Sequence, residues 1–387
     1  MPKIAFNKLY LTGNEKKYIL DALNRESISG DGYYTKKVTQ LLEKRFDLNQ
    51  VLMTTSATHA LEMAAQLIGL KEGDEVIMPS FSFSSTANAV LKEGAKPVFA
   101  EVRGNTFNLD PADFEAKISS RTRAVIPVHY AGISCEMDQI QKIAEENKIY
   151  IIEDAAHAVN SFYQGQAAGS IGDFGCYSFH GSKNFVSGEG GALIINRNQS
   201  ELLEKAEIIR EKGTNRSRFL RGEINKYSWV GEGSSYLPSD LLMAFLFAQL
   251  EGIDYITSHR KRVFDYYQQH LKRFLTEDFL EVLPAAASNR QNNYHIYYLK
   301  FKNKKIRDFV LKQLGKKGIE AAFHFQPLHA SAMGKRLGYQ KNDLQLTNNI
   351  ASSMLRLPIY PDLKEKDLAY IIKNLKLIFA QIKNAGV

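Results

Sequence analysis

The chain is short of several things, and each shortage removes a class of protein. Two cysteines, Cys135 and Cys176, in 387 residues leave no disulfide framework; such usage fits a reducing compartment and a structural role for both thiols. Long apolar runs are missing too. The longest, residues 241–250, is about half of the ~20 residues a membrane helix needs, so no membrane insertion is expected and the run reads as a buried helix. Residues 1–10 lack the apolar centre of a secretory signal, and a cytoplasmic location is the expectation. Lys and Arg outnumber Asp and Glu by 50 to 42, a formal charge of +8. The surplus is scattered, without the basic arm or helix that nucleic acid would require, so it reads as a solvated surface with some pull on small anions. Repeats, low-complexity tracts and sustained heptads are absent, and no metal site is read.

What is present is an alternation of strand and helix signals. Residues 51–56 read as a strand running into a helix from Ala57. Strands at 75–79, 97–102, 123–128 and 150–153 follow, with helices at 85–91 and 136–146 among them. This spacing predicts an α/β fold with a mostly parallel central sheet between helices. A long apolar helix is expected from Ser239 to about His270. Beyond it come an antiparallel strand at 293–301, a helix at 305–314, a strand at 320–325 and a terminal helix at 363–382. The expected division is a large α/β domain over 1–250 and a smaller C-terminal α+β domain over 251–387.

The stretch 177–194, Tyr-Ser-Phe-His-Gly-Ser-Lys-Asn-Phe-Val-Ser-Gly-Glu-Gly-Gly-Ala-Leu-Ile, organises the rest. It sets Lys183 between a short apolar strand and the glycines Gly188, Gly190 and Gly191, which allow a flat ligand close to the backbone. A lysine held partly out of water has a lowered pKa and can form a Schiff base. Upstream, a buried strand ends in Asp154, followed by the small Ala155 and Ala156 and then His157. That is the edge where open α/β sheets place ligands. A carboxylate there can pair with the protonated ring nitrogen of pyridoxal phosphate (PLP); taken alone, Asp154 reads first as a cap for the next helix. The turn through Thr55, Ser56, Ala57 and Thr58 exposes backbone N–H groups to an anion, or is a plain Ser cap.

Asp-Ala-Ala-His at 154–157, Ser-Phe-His-x-x-Lys at 178–183 and Gly-Glu-Gly-Gly at 188–191 resemble the DegT/DnrJ family of PLP-dependent nucleotide-sugar aminotransferases, over nearly the whole chain. The resemblance implies the type I aminotransferase fold, with Lys183 as Schiff-base lysine and proton carrier and Asp154 at the ring nitrogen. Phe83 and Ala156 would lie on the two ring faces and His157 at the phenolic oxygen. Ala57, Thr58 and Ser178 would bind the cofactor phosphate, although most relatives have glycine where Ala57 stands. The turn His129 to Gly132 resembles the family's His-x-x-Gly, beside the site. Glu-Lys-Gly-Thr-Asn-Arg-Ser at 211–217 and Gly-Ser-Ser-Tyr at 233–236 resemble the members that convert dTDP-4-keto-6-deoxyglucose to dTDP-4-amino-4,6-dideoxygalactose with L-glutamate. His324 and His329 are candidate substrate contacts. Many relatives read Gly-x-Asn-Tyr, with that asparagine reaching the partner's phosphate; Ser235 takes its position. The implied assembly is a homodimer with shared active sites, its interface including Leu241, Leu242, Phe245 and Leu246. Alternatives are amination at C3, a dehydratase using pyridoxamine phosphate (PMP), or a non-catalytic sensor. The dehydratases replace the lysine that stands here as Lys183, and a sensor has no need of it beside Asp154 and Ser178.

Overall fold

The computed structural model describes residues 3–26, 28–197, 200–285 and 287–385. Apolar runs of four or five residues build the main sheet: β1 (Gln50–Thr54), β2 (Glu75–Pro79), β3 (Lys96–Ala100), β4 (Thr122–Val125), β5 (Tyr150–Asp154), β6 (Phe174–Ser178) and β7 (Gly191–Ile195). Their order is β1-β7-β6-β5-β4-β2-β3. From β6 to β3 all neighbours are parallel, while β7 runs antiparallel to both β6 and β1. The carboxyl ends of β1, β2, β5 and β6 therefore share one edge. Every residue of β2, β6 and β7 is buried, as a sheet covered on both faces demands.

The two faces are read off by the strand period of two. Val76, Met78, Ala124 and Ile152 pack against the helices Ala57–Leu67 and Ser84–Leu91. Ile77, Val125 and Ile151 meet Met137, Ile140 and Ala144 of the helix Met137–Asn147 on the other side. A second core surrounds a smaller antiparallel sheet of β8 (Leu280–Val282), β9 (Tyr297–Phe301) and β10 (Met354–Leu357), with β9 in the middle. Tyr267 of the helix Ile253–Leu271, Val310 of Lys304–Lys316 and Phe379 of Glu365–Ala385 close over it. Each large apolar side chain so buried is worth about 1.5–3 kcal/mol.

Three features depart from the sequence reading. The helix expected over 239–270 is two helices, Asp240–Glu251 and Ile253–Leu271, bent by 61°. The break is at Gly252, where a Cβ would lie 2.6 Å from Thr12 Cγ2, so only glycine lets the N-terminal segment pass this closely. No strand forms over 320–325; isolated bridges Ile4 to Ile319 and Ala322 to Arg356 stand in its place, and β10 completes the small sheet instead. The chain also crosses position 250 in its packing. Ile4 joins the second core, whereas Leu328, Tyr339 and Leu344 pack on the first. Among the described residues no single helix is long and apolar enough to cross a membrane.

Candidate active site

The shared carboxyl edge opens onto a cavity of about 620 Å³, closed by Arg356 and Leu357 of β10 and by His324 and Phe325. Ala57, Thr58, Phe83, Asp154, Ala156, His157, Ser178, Lys183 and His324 all line it. Residues read from five separate stretches of sequence thus meet around one space.

At the end of β1 the chain turns through Ser56, whose hydroxyl caps the helix Ala57–Leu67 by accepting the His59 N–H at 3.1 Å. The first N–H groups of that helix have no partner within it, which makes its start an anion site. Gly191 explains part of the glycine cluster. A Cβ there would lie 2.3 Å from the Ser56 carbonyl carbon and 2.4 Å from the Ala57 nitrogen, so only glycine lets the turn lie against β7. Thr58 Oγ1 meets Ser85 Oγ at 2.7 Å, joining this turn to the helix that follows β2.

Asp154 is buried at the end of β5. Its Oδ2 accepts from Thr86 Oγ1 at 2.8 Å and its Oδ1 from the Ala156 N–H at 3.2 Å. Thr86 has one hydroxyl proton and gives it to the carboxylate, so Ser82 Oγ, 2.8 Å away, must donate to Thr86. Lys183 lies in the turn after β6, its N–H donating to the His180 carbonyl at 2.9 Å. Burial lowers its amine to about 8, against an opposing pull from Asp154 and with help from Arg356. At pH 7.5 roughly a quarter of such an amine is neutral, against about one part in a thousand for a free lysine.

Three imidazoles gather beside the lysine. The ring centroid of His157 is 4.6 Å from that of His295 and 6.0 Å from that of His324. Burial foremost, then the nearby cations, holds all three well below the ordinary histidine range. His295 Nδ1 pairs with Asn184 Oδ1 at 2.8 Å and His324 Nδ1 with Tyr130 Oη at 3.1 Å. His157 Nδ1 is sealed from solvent and has no partner. Phe83, a residue type usually found in cores, is 62% exposed at the cavity.

His329 is a correction. Its ring is fully buried outside the cavity, with Nδ1 2.7 Å from Ser80 Oγ and Nε2 3.1 Å from Asn348 Nδ2. It ties the 328–348 segment to the end of β2 and is out of reach of a substrate. Ser235 is exposed, bridged to Glu211, and does not line the cavity of its own chain. His129 is buried beneath the site: Cys135 N–H donates to Nδ1 at 3.1 Å, so the proton is on Nε2 and goes to Glu153 at 2.8 Å. Sequence reasoning missed Thr86, His295 and Arg356, as well as Arg260, which lines the cavity and donates to the Tyr294 carbonyl at 3.0 Å and the His295 carbonyl at 2.7 Å. Only His295, in the alternating run at 293–301, carried any signal, as a polar residue among apolar ones.

The DegT/DnrJ/EryC1/StrS aminotransferase family model matches residues 10–376. The chain belongs to this family. It is similar to GDP-perosamine synthase of Caulobacter vibrioides, 32% identical over 97% of this chain and 98% of that protein. It is also similar to the spore coat polysaccharide biosynthesis protein SpsC of Bacillus subtilis, 32% identical over 87% of this chain and 88% of the other. Among solved structures, Spr1654 of Streptococcus pneumoniae in its PLP form superposes with a TM-score of 0.90 at 25% identity, over 98% of this chain and 100% of that one. As a DegT/DnrJ/EryC1/StrS member the chain is a PLP-dependent enzyme of the aminotransferase fold. Its residues fit that cofactor on three local observations: an unpartnered imidazole nitrogen at His157, a helix start that Gly191 lets lie against β7, and one desolvated amine at Lys183.

Proposed function

We propose that the chain moves an amino group from L-glutamate to the 4-keto group of dTDP-4-keto-6-deoxyglucose, giving dTDP-4-amino-4,6-dideoxygalactose. The observation that carries transamination is the desolvated Lys183 amine in one cavity with the hydroxyl-braced carboxylate of Asp154. The names of the relatives, GDP-perosamine synthase and a spore coat polysaccharide protein, support a sugar acceptor. The runs at 211–217 and 233–236 support the dTDP form.

PLP, when bound, supplies the electron sink that an amino acid's Cα electron pair needs. Ala57 and Thr58 at the helix start, with the Ser178 hydroxyl, would hold its phosphate. Phe83 and Ala156 would bracket its ring, and His157 would meet its phenolic oxygen. Asp154, fixed by Thr86 and the Ala156 N–H, keeps a proton on the ring nitrogen. Lys183, partly neutral near pH 7.5, takes the Cα proton of the donor and returns a proton to the sugar carbon in the second half of the cycle. His324 is a candidate contact for the sugar. The working unit is a homodimer in which Ser235 reaches the partner's cofactor phosphate by its hydroxyl.

The experiment is NMR of the product formed from L-glutamate and a 4-keto-6-deoxyhexose, offered in parallel as its dTDP and GDP forms. An axial amine at C4 of the dTDP sugar is expected. No amine at C4, an equatorial C4 amine, a dehydrated sugar or a preference for the GDP form would overturn the corresponding part of the proposal.

A further inference from the structure

The turn that carries Lys183 also brings a second carboxylate to the cavity. Asp154 and Glu189 are the acids among the residues that line it, and Asp154 is taken up by Thr86, the Ala156 N–H and the ring nitrogen it faces. Glu189 is fixed through its backbone. The Gly181 N–H donates to the Gly188 carbonyl and the Ser187 N–H to the Phe179 carbonyl, each at 2.8 Å, which folds the turn back on itself. Ser187 Oγ then donates to the Glu189 carbonyl at 2.9 Å. The Glu189 side chain is 67% exposed, and the basic group that meets it is His180, whose Nε2 is 3.6 Å away. The Ser182 N–H donates to His180 Nδ1 at 3.2 Å, so the proton of the neutral ring is on Nε2, toward Glu189. At 3.6 Å that contact orients the carboxylate without occupying it as a hydrogen bond would.

Most of what the reading above brings to this site is anionic: the cofactor phosphate, the diphosphate of the sugar nucleotide and the carboxylates of the amino donor. A carboxylate repels each of them. The donor's ammonium gives up its charge when its nitrogen takes the place of the Lys183 amine. What remains for Glu189 is a neutral O–H, and the hexose offers one on C2 and one on C3; C1 carries the diphosphate, C4 the keto group, C5 the ring oxygen, and C6 is a methyl. Only the C3 hydroxyl adjoins the carbon that reacts, and Glu189 shares its turn with Lys183, which must reach that carbon. A hydroxyl bonded to an ionised acceptor makes one of the stronger hydrogen bonds, and a site built around such a bond rejects an analogue that lacks the hydroxyl. We propose that Glu189 accepts a hydrogen bond from the C3 hydroxyl of the keto sugar, with His180 orienting the carboxylate, and so selects sugars with a free hydroxyl beside the keto carbon. This inference rests on the sugar-transaminase reading and adds to it a residue that reads the sugar itself.

The test crosses the side chain with the hydroxyl in the keto-sugar half of the reaction. PMP forms of the wild-type, Glu189→Ala and Glu189→Gln proteins are mixed with dTDP-4-keto-6-deoxyglucose or with its 3-deoxy or 2-deoxy analogue, and the cofactor absorbance is followed. Glu189→Ala should lower kcat/KM for the parent sugar by about tenfold to a hundredfold, the range for a hydrogen bond to a charged group. Glu189→Gln, which keeps an acceptor oxygen but not the charge, should recover part of that loss. Wild type should lose a similar factor when the C3 hydroxyl is absent, and on the 3-deoxy sugar the three proteins should agree within about twofold, because the two deletions remove one and the same bond. The amino-acid half, run with L-glutamate alone, should also stay within about twofold, which shows that the variants are folded. Calorimetry of the PLP forms with the parent keto sugar, which they cannot turn over, should report the same weakening. An unchanged rate on the parent sugar overturns the inference, as does an equal loss on the parent and 3-deoxy sugars or an equal loss in both halves. Convergence of the three proteins on the 2-deoxy sugar instead overturns the assignment to C3. A wild-type PMP form that no 4-keto sugar alters overturns the sugar-transaminase reading itself, and that result appears before any variant is compared.

Discussion

Thr86→Val removes one hydroxyl from beneath Asp154 and, with it, the acceptor of the buried Ser82 hydroxyl. The side chain is fully buried, and valine keeps its shape. What is lost is the 2.8 Å bond to Oδ2, leaving Asp154 with the longer 3.2 Å contact from the Ala156 N–H. A hydrogen bond to a charged group is worth about 1.5–3 kcal/mol. If that support is fully used in holding the ring-nitrogen proton, the chemical step slows by about tenfold to a hundredfold. Asp154→Asn sets the scale, because it removes the charge itself and should cost ~2.7–4 kcal/mol, or about 10²–10³ in rate. Thr86→Val should fall below that, and Thr86→Ser should restore most of the rate. Single-turnover absorbance with saturating L-glutamate reads the step directly. A Thr86→Val protein within twofold of wild type would refute the bracing role. An Asp154→Asn loss under about tenfold, ~1.4 kcal/mol, would leave Asp154 with only its bond to the Ala156 N–H in the turn after β5.

Lys183 also makes a pH prediction for the cofactor-free protein. Its amine titrates at about 8 in the fold and at the ordinary 10.5 when unfolded, so between those values the unfolded chain binds more protons and stability rises with pH. The penalty is fully present below pH 8 and gone above 10.5. It is at most ~3 kcal/mol, and less because the residue is only half-buried. Lys183→Met should therefore melt higher than wild type at pH 7 and converge with it above pH 10.5; parallel melting curves across that range would contradict the lowered amine. Shared sites predict complementation between subunits. In a mixed dimer of Lys183→Ala and Ser235→Trp, one pocket carries both changes and the other neither, so activity should partly return. Verified heterodimers of two inactive parents that stay inactive would exclude the shared site.

The parts of this site legible in sequence are those whose signal is local. Apolar runs of four or five residues between helical segments mark the strands, and Asp154, the second of the two acids that end such a run, falls at the ligand edge. Lys183 announces itself through its glycines, one of which, Gly191, is required by the approach of Ser56 and Ala57. Thr86 carries no such signal, since its partner is 68 residues away and the contact exists only because β2 and β5 flank β4 in the sheet. Arg356 is illegible because its strand, β10, is only four residues long and directly follows the helix Gln345–Ser353, with no turn signal between them. His324 and His329 read alike in Phe-His-Phe-Gln-Pro-Leu-His. Yet the Leu328 N–H bonds to the Ser80 carbonyl at 2.9 Å and carries His329 away from the cavity, a result of tertiary packing and not of local pattern. The bend at Gly252 is similar, decided by Thr12 far along the chain.

The central claim is that one lysine, Lys183, carries the cofactor. Borohydride reduction of the PLP-loaded protein fixes that link, and peptide mapping by mass spectrometry locates it. The account predicts the reduced label on the peptide containing Lys183, with no labelled peptide from a Lys183→Ala protein and no visible-band loss when glutamate is added to it. A label on any other lysine, or full retention of label and turnover in Lys183→Ala, would contradict it.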